Sequence, residues 1–281
     1  MEEYIDKEYC LHVRGPFACF TRPEMKVERV SYDVITPSAA RAIFQAIYWK
    51  PAIRWEITKI EVLAPIKRFT IKRNEVASIM SKGSTGINVS EDRRQRASYI
   101  LSDVDYRIYA KMVYIPVRNR SASCQKHYNE EYSEAERKAE NPRKYQEIFE
   151  RRAKAGQCFT MPYLGCREFT CAFEYVNLEH GETSLEPKPI PESRDLSIML
   201  YDMDFERDRK NPPAMFYHAQ MTEGVILVPP MDSNEILRLS YKHYTTTTRR
   251  CARWIASLPW DKRSSPLAGS SSFAKMAPSF D

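Results

Sequence analysis

Apolar and polar residues alternate with a period of two over Asp105–Ile115, the clearest strand in the chain. Tyr106, Ile108, Ala110, Met112 and Tyr114 fall on one face, and Arg107, Tyr109 and Lys111 on the other. Shorter runs of the same kind predict strands at Tyr9–Arg14, ended by Gly15-Pro16, and at Arg54–Leu63, Arg68–Lys72 and Phe169–Tyr175. The apolar phase slips between Trp55/Ile57 and Ile60/Val62, which predicts a bulge near Thr58 or Lys59. Two segments carry a helical period instead. Ala40, Ile43, Phe44 and Ile47 follow Thr36-Pro37, an N-cap with proline at the first helical position, and Pro51 stops that helix. Tyr145, Ile148, Phe149 and Ala153 follow Asn141-Pro142, and Gly156 closes the second helix.

The order is strand, helix, strand, inserted hairpin and loop, strand, helix, strand. The expected fold class is therefore α+β: a ferredoxin-like (RRM-like) βαββαβ domain with insertions over residues 1–178, its two helices on one face of an antiparallel sheet. The other face, with Arg107, Tyr109 and Lys111, is expected to be open, as RNA-recognition sheets are. Ser81–Gly86 and Arg93–Arg96 mix Gly, Ser and Arg and read as a mobile basic loop. Glu179–Glu192, rich in Glu, Pro, Lys and Ser, reads as a linker or long loop. Leu196–Asp202, Met215–Met221 and Val225–Val228 then predict a small antiparallel β-sheet domain over 193–232. Residues 233–281 form a C-terminal extension, expected to be disordered from about Ser264.

Composition narrows the class without choosing a function. Hydrophobic residues at 43% and charged residues at 28% of the 281 are ordinary for a soluble globular protein. The net charge of +6 permits a nucleic-acid partner without demanding one. Seven cysteines without a dense framework point to free thiols in a reducing compartment. With no apolar signal core and no run of membrane-span length, the expectation is a cytoplasmic protein with no membrane partner.

Candidate chemistry centres on Ser121–Tyr128, in the connection between the long strand and the second helix. There Lys126 sets a fixed positive charge beside His127, which titrates near neutrality. The pair suits phosphate chemistry, although adjacent Lys and His are also common in solvated loops. Phe20–Tyr32 interleaves Arg22, Lys26 and Arg29 with aromatic residues, a pattern that suits single-stranded RNA as well as an ordinary exposed loop. Tyr48 lies in the last turn of the first helix, beside Trp49. Cys124, His127, Cys158, Cys166 and Cys171 match no zinc spacing, and Asp103/Asp105 and Asp202/Asp204 read as solvated strand ends rather than a magnesium site. No metal and no cofactor is expected.

Four stretches carry a family resemblance: Ala46-Ile-Tyr-Trp-Lys-Pro51, Gln125-Lys-His-Tyr128, Gly156-Gln-Cys-Phe159 and Pro162-Tyr-Leu-Gly-Cys-Arg-Glu-Phe169. Together they resemble the CRISPR-associated Cas5 endoribonucleases of type I-C systems, within the ferredoxin-like CRISPR RNA-binding superfamily. Phe20–Arg29 and Asp195–Asp202 join them, so the likeness runs from about Leu11 to Pro229 and leaves the tail from about Asn234 unmatched. The resemblance implies a metal-independent cut at the base of the repeat hairpin in precursor CRISPR RNA. It also implies retention of the 5′ handle of the mature CRISPR RNA and assembly with the other subunits of the type I-C surveillance complex. The family's catalytic Tyr and Lys-His pair fall on Tyr48, Lys126 and His127, and its Gly-rich loop on Leu164–Glu168, where Arg167 supplements a loop short of glycine. Arg22, Lys26, Arg29, Arg118 and Arg167 are the candidate RNA contacts.

The chemistry fits on its own terms. RNA brings its own nucleophile, the 2′-hydroxyl, so in-line attack leaves a 2′,3′-cyclic phosphate and a 5′-hydroxyl. His127 suits either proton transfer, Lys126 suits charge on the non-bridging oxygens, and Tyr48 is a poor base unless Lys126 lowers its pKa. Two other readings stand beside this one: a non-catalytic subunit that holds the CRISPR RNA handle, and a metal-dependent DNase.

Overall fold

The longest strand, β4 (Arg93–Tyr114), is 22 residues long and pairs antiparallel with three others. Its C-terminal half lies between β1 (Lys7–Ala18) and β2 (Ile53–Val62), and its N-terminal half makes a hairpin with β3 (Lys67–Val76). The computed structural model describes residues 6–238 apart from 82, 84, 85, 135–139, 179–184, 206, 209 and 210. The tail expected to be disordered lies outside the described residues.

The remaining elements are α1 (Pro37–Ile47), a 3₁₀ turn (Val117–Asn119), α2 (Ala122–Glu131), α3 (Pro142–Lys154), β5 (Ala172–Val176), β6 (Arg194–Met203), β7 (Ala214–Thr222), β8 (Val225–Leu227) and β9 (Leu237–Arg238). The class is α+β, with one nine-stranded antiparallel sheet ordered β5-β1-β4-β2-β8-β7-β6, β3 on β4 and β9 on β7. Both expected helices form with their expected caps. Thr36 Oγ1 accepts the N–H of Ala39 at 3.3 Å, and Asn141 Oδ1 accepts that of Arg143 at 2.9 Å. The β2 register shifts between Ile57 and Lys59, where the sequence predicted a bulge. α1 and α3 lay Phe44 and Phe149 against Tyr9 and Trp55, with ring centroids 4.6–5.9 Å apart. Each such fully buried ring contributes about 1.5–3 kcal/mol by leaving water.

Four expectations need correction. Residues 93–96 are not loop but the start of β4, and β3 runs on to Val76 so that Arg73 faces Arg96. Glu75 makes this possible by pairing with Arg73 at 2.8 Å, Arg96 at 3.5 Å and Arg29 at 3.6 Å. The first strand does not stop at Gly15-Pro16 but continues to Ala18, because β5 pairs only as far as Arg14 and proline is tolerated at such an edge. The second face of β4 is open at Lys111 but not at the other two positions: Arg107 is 3% exposed and bonds Glu61 at 2.7 Å, and Tyr109 is buried under Lys59. Finally, β6–β8 do not make a sheet of their own. β8 hydrogen-bonds to β2 along Lys59–Glu61 and extends the first sheet. Among the described residues no helix is long and apolar enough to cross a membrane.

Candidate active site

Tyr48 is the C-cap of α1, where the chain turns extended. Its N–H closes the last helical bond to Phe44 at 3.0 Å, and its carbonyl accepts the buried indole N–H of Trp55 at 2.9 Å. The free carbonyls of that last turn are taken from α3 and the segment after it: Arg152 donates to Ile47 at 3.3 Å and the N–H of Phe159 to Ala46 at 2.7 Å. The guanidinium of Arg152 then lies 5.2 Å from the centroid of the Tyr48 ring. The residue is only 3% exposed, deeper than the half-buried position its sequence neighbours suggest. Burial pushes its phenol up to about 12; Arg152 pulls the other way, and Tyr132 raises it further.

Lys126 and His127 sit on α2, not in a loop. Ser121 caps this helix by accepting the N–H of Cys124 at 3.4 Å, and Gln125 Nε2 reaches back to the carbonyls of Arg120 at 2.7 Å and Arg118 at 3.1 Å. Lys126 and His127 are 77% and 68% exposed and pair one turn on, with Glu130 at 3.8 Å and Glu131 at 3.1 Å. Exposed pairs of this spacing stabilise by only about 0.2–0.5 kcal/mol. The helix ends at Tyr132, whose ring packs 5.0 Å from that of Tyr128. Its first turn and the end of α1 share a groove of about 620 Å³ lined by Trp49, Pro51, Asn119, Arg120, Ser121 and Cys124. The end of α1 and the first turn of α2 thus face one groove, whose lining does not include Tyr48, Lys126 or His127.

The candidate RNA contacts fall in two places. Arg22, Lys26 and Arg29 lie on the turn after β1, and Arg167 on the Leu164–Phe169 loop packed against it. The Cys19 N–H bonds the Leu164 carbonyl at 3.0 Å, and Arg29 Nη1 reaches Cys166 Sγ at 3.2 Å. Gly165 is required there: its φ is +83°, and a Cβ would stand 2.1 Å from the Cys19 carbonyl oxygen. The Cys19 hydrogen bond, then Arg29, draws the Cys166 thiol down, and the same contact pushes Cys19 up. Arg22 stacks on Tyr32 at 4.5 Å, while Lys26 and Arg167 face solvent. Arg118 stands apart, exposed on the 3₁₀ turn just before α2.

Similarity to known proteins fixes the family. The family model described as CRISPR-associated protein (Cas_Cas5) matches residues 8–229. The chain belongs to the Cas5 family. Two curated relatives carry the name CRISPR pre-crRNA endoribonuclease Cas5d. That of Mannheimia succiniciproducens is 41% identical over 246 residues, 81% of this chain and 97% of its own. That of Thermus thermophilus is 38% identical over 248 residues, 82% of this chain and 95% of its own. A solved CRISPR-associated protein superposes with a TM-score of 0.57 at 22% identity, over 84% of this chain and all of its own. SMU1763c of Streptococcus mutans, described as functionally uncharacterized, gives 0.55 at 21% identity over 83% of this chain and 98% of its own. These two likenesses show the fold.

The Cas5 match spans Tyr48, Lys126 and His127. Sequence reasoning missed Arg152, which reaches Tyr48 from α3. Its sequence signal was weak, one arginine in the charged run Glu150–Lys154. It also missed the acids' partners: Asp105 takes His12 at 2.6 Å, and Asp202 takes Arg41 at 2.7 Å.

Proposed function

We propose that this Cas5 protein cuts the repeat hairpin of precursor CRISPR RNA without a metal ion, retains the 5′ handle, and serves as a subunit of a type I-C surveillance complex in the prokaryotic cytoplasm. The observation that carries the reading is a Cas5 match that takes in Tyr48, Lys126 and His127, in a chain that spans nearly the full length of two relatives named pre-crRNA endoribonucleases. The ferredoxin-like reading of the core rests on the path β5-β1-β4-β2, with α1 between β1 and β2 and α3 between β4 and β5. In that reading β3 and the loop to Arg93 are the insertion.

In the proposed reaction the 2′-hydroxyl attacks the adjacent phosphorus in line with the leaving 5′-oxygen. His127 moves a proton at one of these two oxygens, and Lys126 meets the charge that grows on the non-bridging oxygens. Tyr48, held protonated by burial, donates a hydrogen bond that fixes the phosphate rather than acting as the base. Arg22, Lys26, Arg29 and Arg167 hold RNA backbone on one side, and Arg118 beside α2. A repeat hairpin with a single 2′-deoxy nucleotide 5′ to the cut tests the nucleophile. It should bind as tightly as the all-ribose hairpin and stay whole; cleavage of the deoxy RNA would mean that water attacks instead.

A further inference from the structure

None of the described side chains of α2 is buried, and a ten-residue helix is too short to be stable alone in water. The apolar face that docks α1 and α3 is missing here, so polar contacts must hold α2 in place. They converge on one carboxylate. Glu140, just ahead of the N-cap of α3, accepts Arg120 Nη2 at 2.6 Å, the Tyr128 hydroxyl at 2.9 Å and the Tyr145 hydroxyl at 2.6 Å. Arg120, just ahead of the N-cap of α2, also donates through Nε to the Ile115 carbonyl at 3.0 Å, at the end of β4. The two side chains are only 3% and 9% exposed. The Arg120 guanidinium lies 5.1 Å from the Tyr128 ring and 5.8 Å from the Tyr114 ring, and Tyr114 stacks on Tyr145. One buried ion pair thus ties together the end of β4, the middle of α2 and the first turn of α3.

Tyr128 directly follows His127, and successive helical residues point about 100° apart around the axis. Anchoring the Tyr128 hydroxyl therefore sets the rotation of α2, and with it the directions of His127 and Lys126. We propose that Arg120 and Glu140, through Tyr128, are positioning residues that aim the Lys126–His127 pair at the scissile phosphate. The proposal rests on the reading that this pair carries the chemistry. The donors are suited to a permanent clamp. Burial, then Glu140, pushes Tyr128 up to about 12 and Tyr145 higher, so both keep their protons. Burial works against the Glu140 charge, but its bonds from Tyr145, Arg120 and Tyr128 outweigh it and keep the carboxyl below the ordinary range.

The test is single-turnover cleavage of a repeat hairpin by the whole protein, with RNA affinity and amide exchange measured alongside. Glu140→Ala should slow cleavage about 10- to 100-fold, as small misplacements of reacting groups do. Affinity should stay within about twofold, because Glu140 and Tyr128 are not among the proposed RNA contacts. Exchange should rise over 122–131 and not in β1 or β4, and Glu140→Gln, which keeps an acceptor, should recover part of the rate. Tyr128→Phe removes only one hydroxyl and should give the same pattern more weakly, which keeps the test open if Glu140→Ala does not fold. An unchanged rate in Tyr128→Phe and Glu140→Gln, or a loss matched by weaker binding or by exchange throughout the sheet, would overturn the proposal. His127→Ala in the same assay separates the two levels. If it is inactive while the clamp variants cut normally, only the positioning role falls; if it still cuts, the reading of the Lys-His pair falls and the clamp proposal with it.

Discussion

Tyr48 owes its chemistry to burial at the end of a helix. The same turn that stops α1 hides the phenol under Arg152 and raises its pKa to about 12, so it enters any reaction near neutrality as a hydrogen-bond donor. A donor to a charged phosphate oxygen is worth about 1.5–3 kcal/mol, or about 10- to 150-fold in rate. Tyr48→Phe should lower the single-turnover rate by that factor at every pH from about 6 to 10, leaving the shape of the profile unchanged. A substitution that removed an alkaline inflection would instead make Tyr48 the base. Its place in the last turn of α1 was legible from Thr36-Pro37, the apolar spacing and Pro51. Its depth was not, because Arg152 and Phe159 reach the last turn of α1 from more than 100 residues away, and such contacts leave no local pattern.

Among the elements, those with an apolar stripe were readable and those without one were not. α1 and α3 announce themselves by spacing and caps, and both bury a phenylalanine in one aromatic cluster. Phe149→Ala should cost about 3–5 kcal/mol of stability in chemical denaturation; a cost under about 1 kcal/mol would mean that α3 is not docked by that ring. α2 has no such stripe, so Ser121–Tyr128 looked like a connection, although Ser121 is a recognisable cap. The start of β4 was hidden for a related reason. Arg93, Arg94 and Arg96 resemble loop residues until they are set against Arg73–Val76 of β3, where Glu75 pairs with Arg96, and a cross-strand partner cannot be seen in a single run of residues.

At the scale of the whole molecule, the order of strands and helices through β5, α2 apart, follows from the sequence, whereas the union of the two sheets does not. That union depends on the short ladder between β2 and β8, at the bulge in β2, and register between distant strands is set by three-dimensional packing. One consequence is a scaffold in which the end of α1 and the first turn of α2 line one groove, with Tyr48 under Arg152 and the Lys-His pair exposed on α2. Whether the protein cuts RNA or only holds it is decided by incubating wild type and His127→Ala with a type I-C repeat hairpin in excess EDTA and mapping the product ends. The account predicts a single cut at the hairpin base by wild type, a cyclic-phosphate end, and no cut by the variant. Tight binding without cleavage by wild type, or cleavage lost in EDTA, would contradict it.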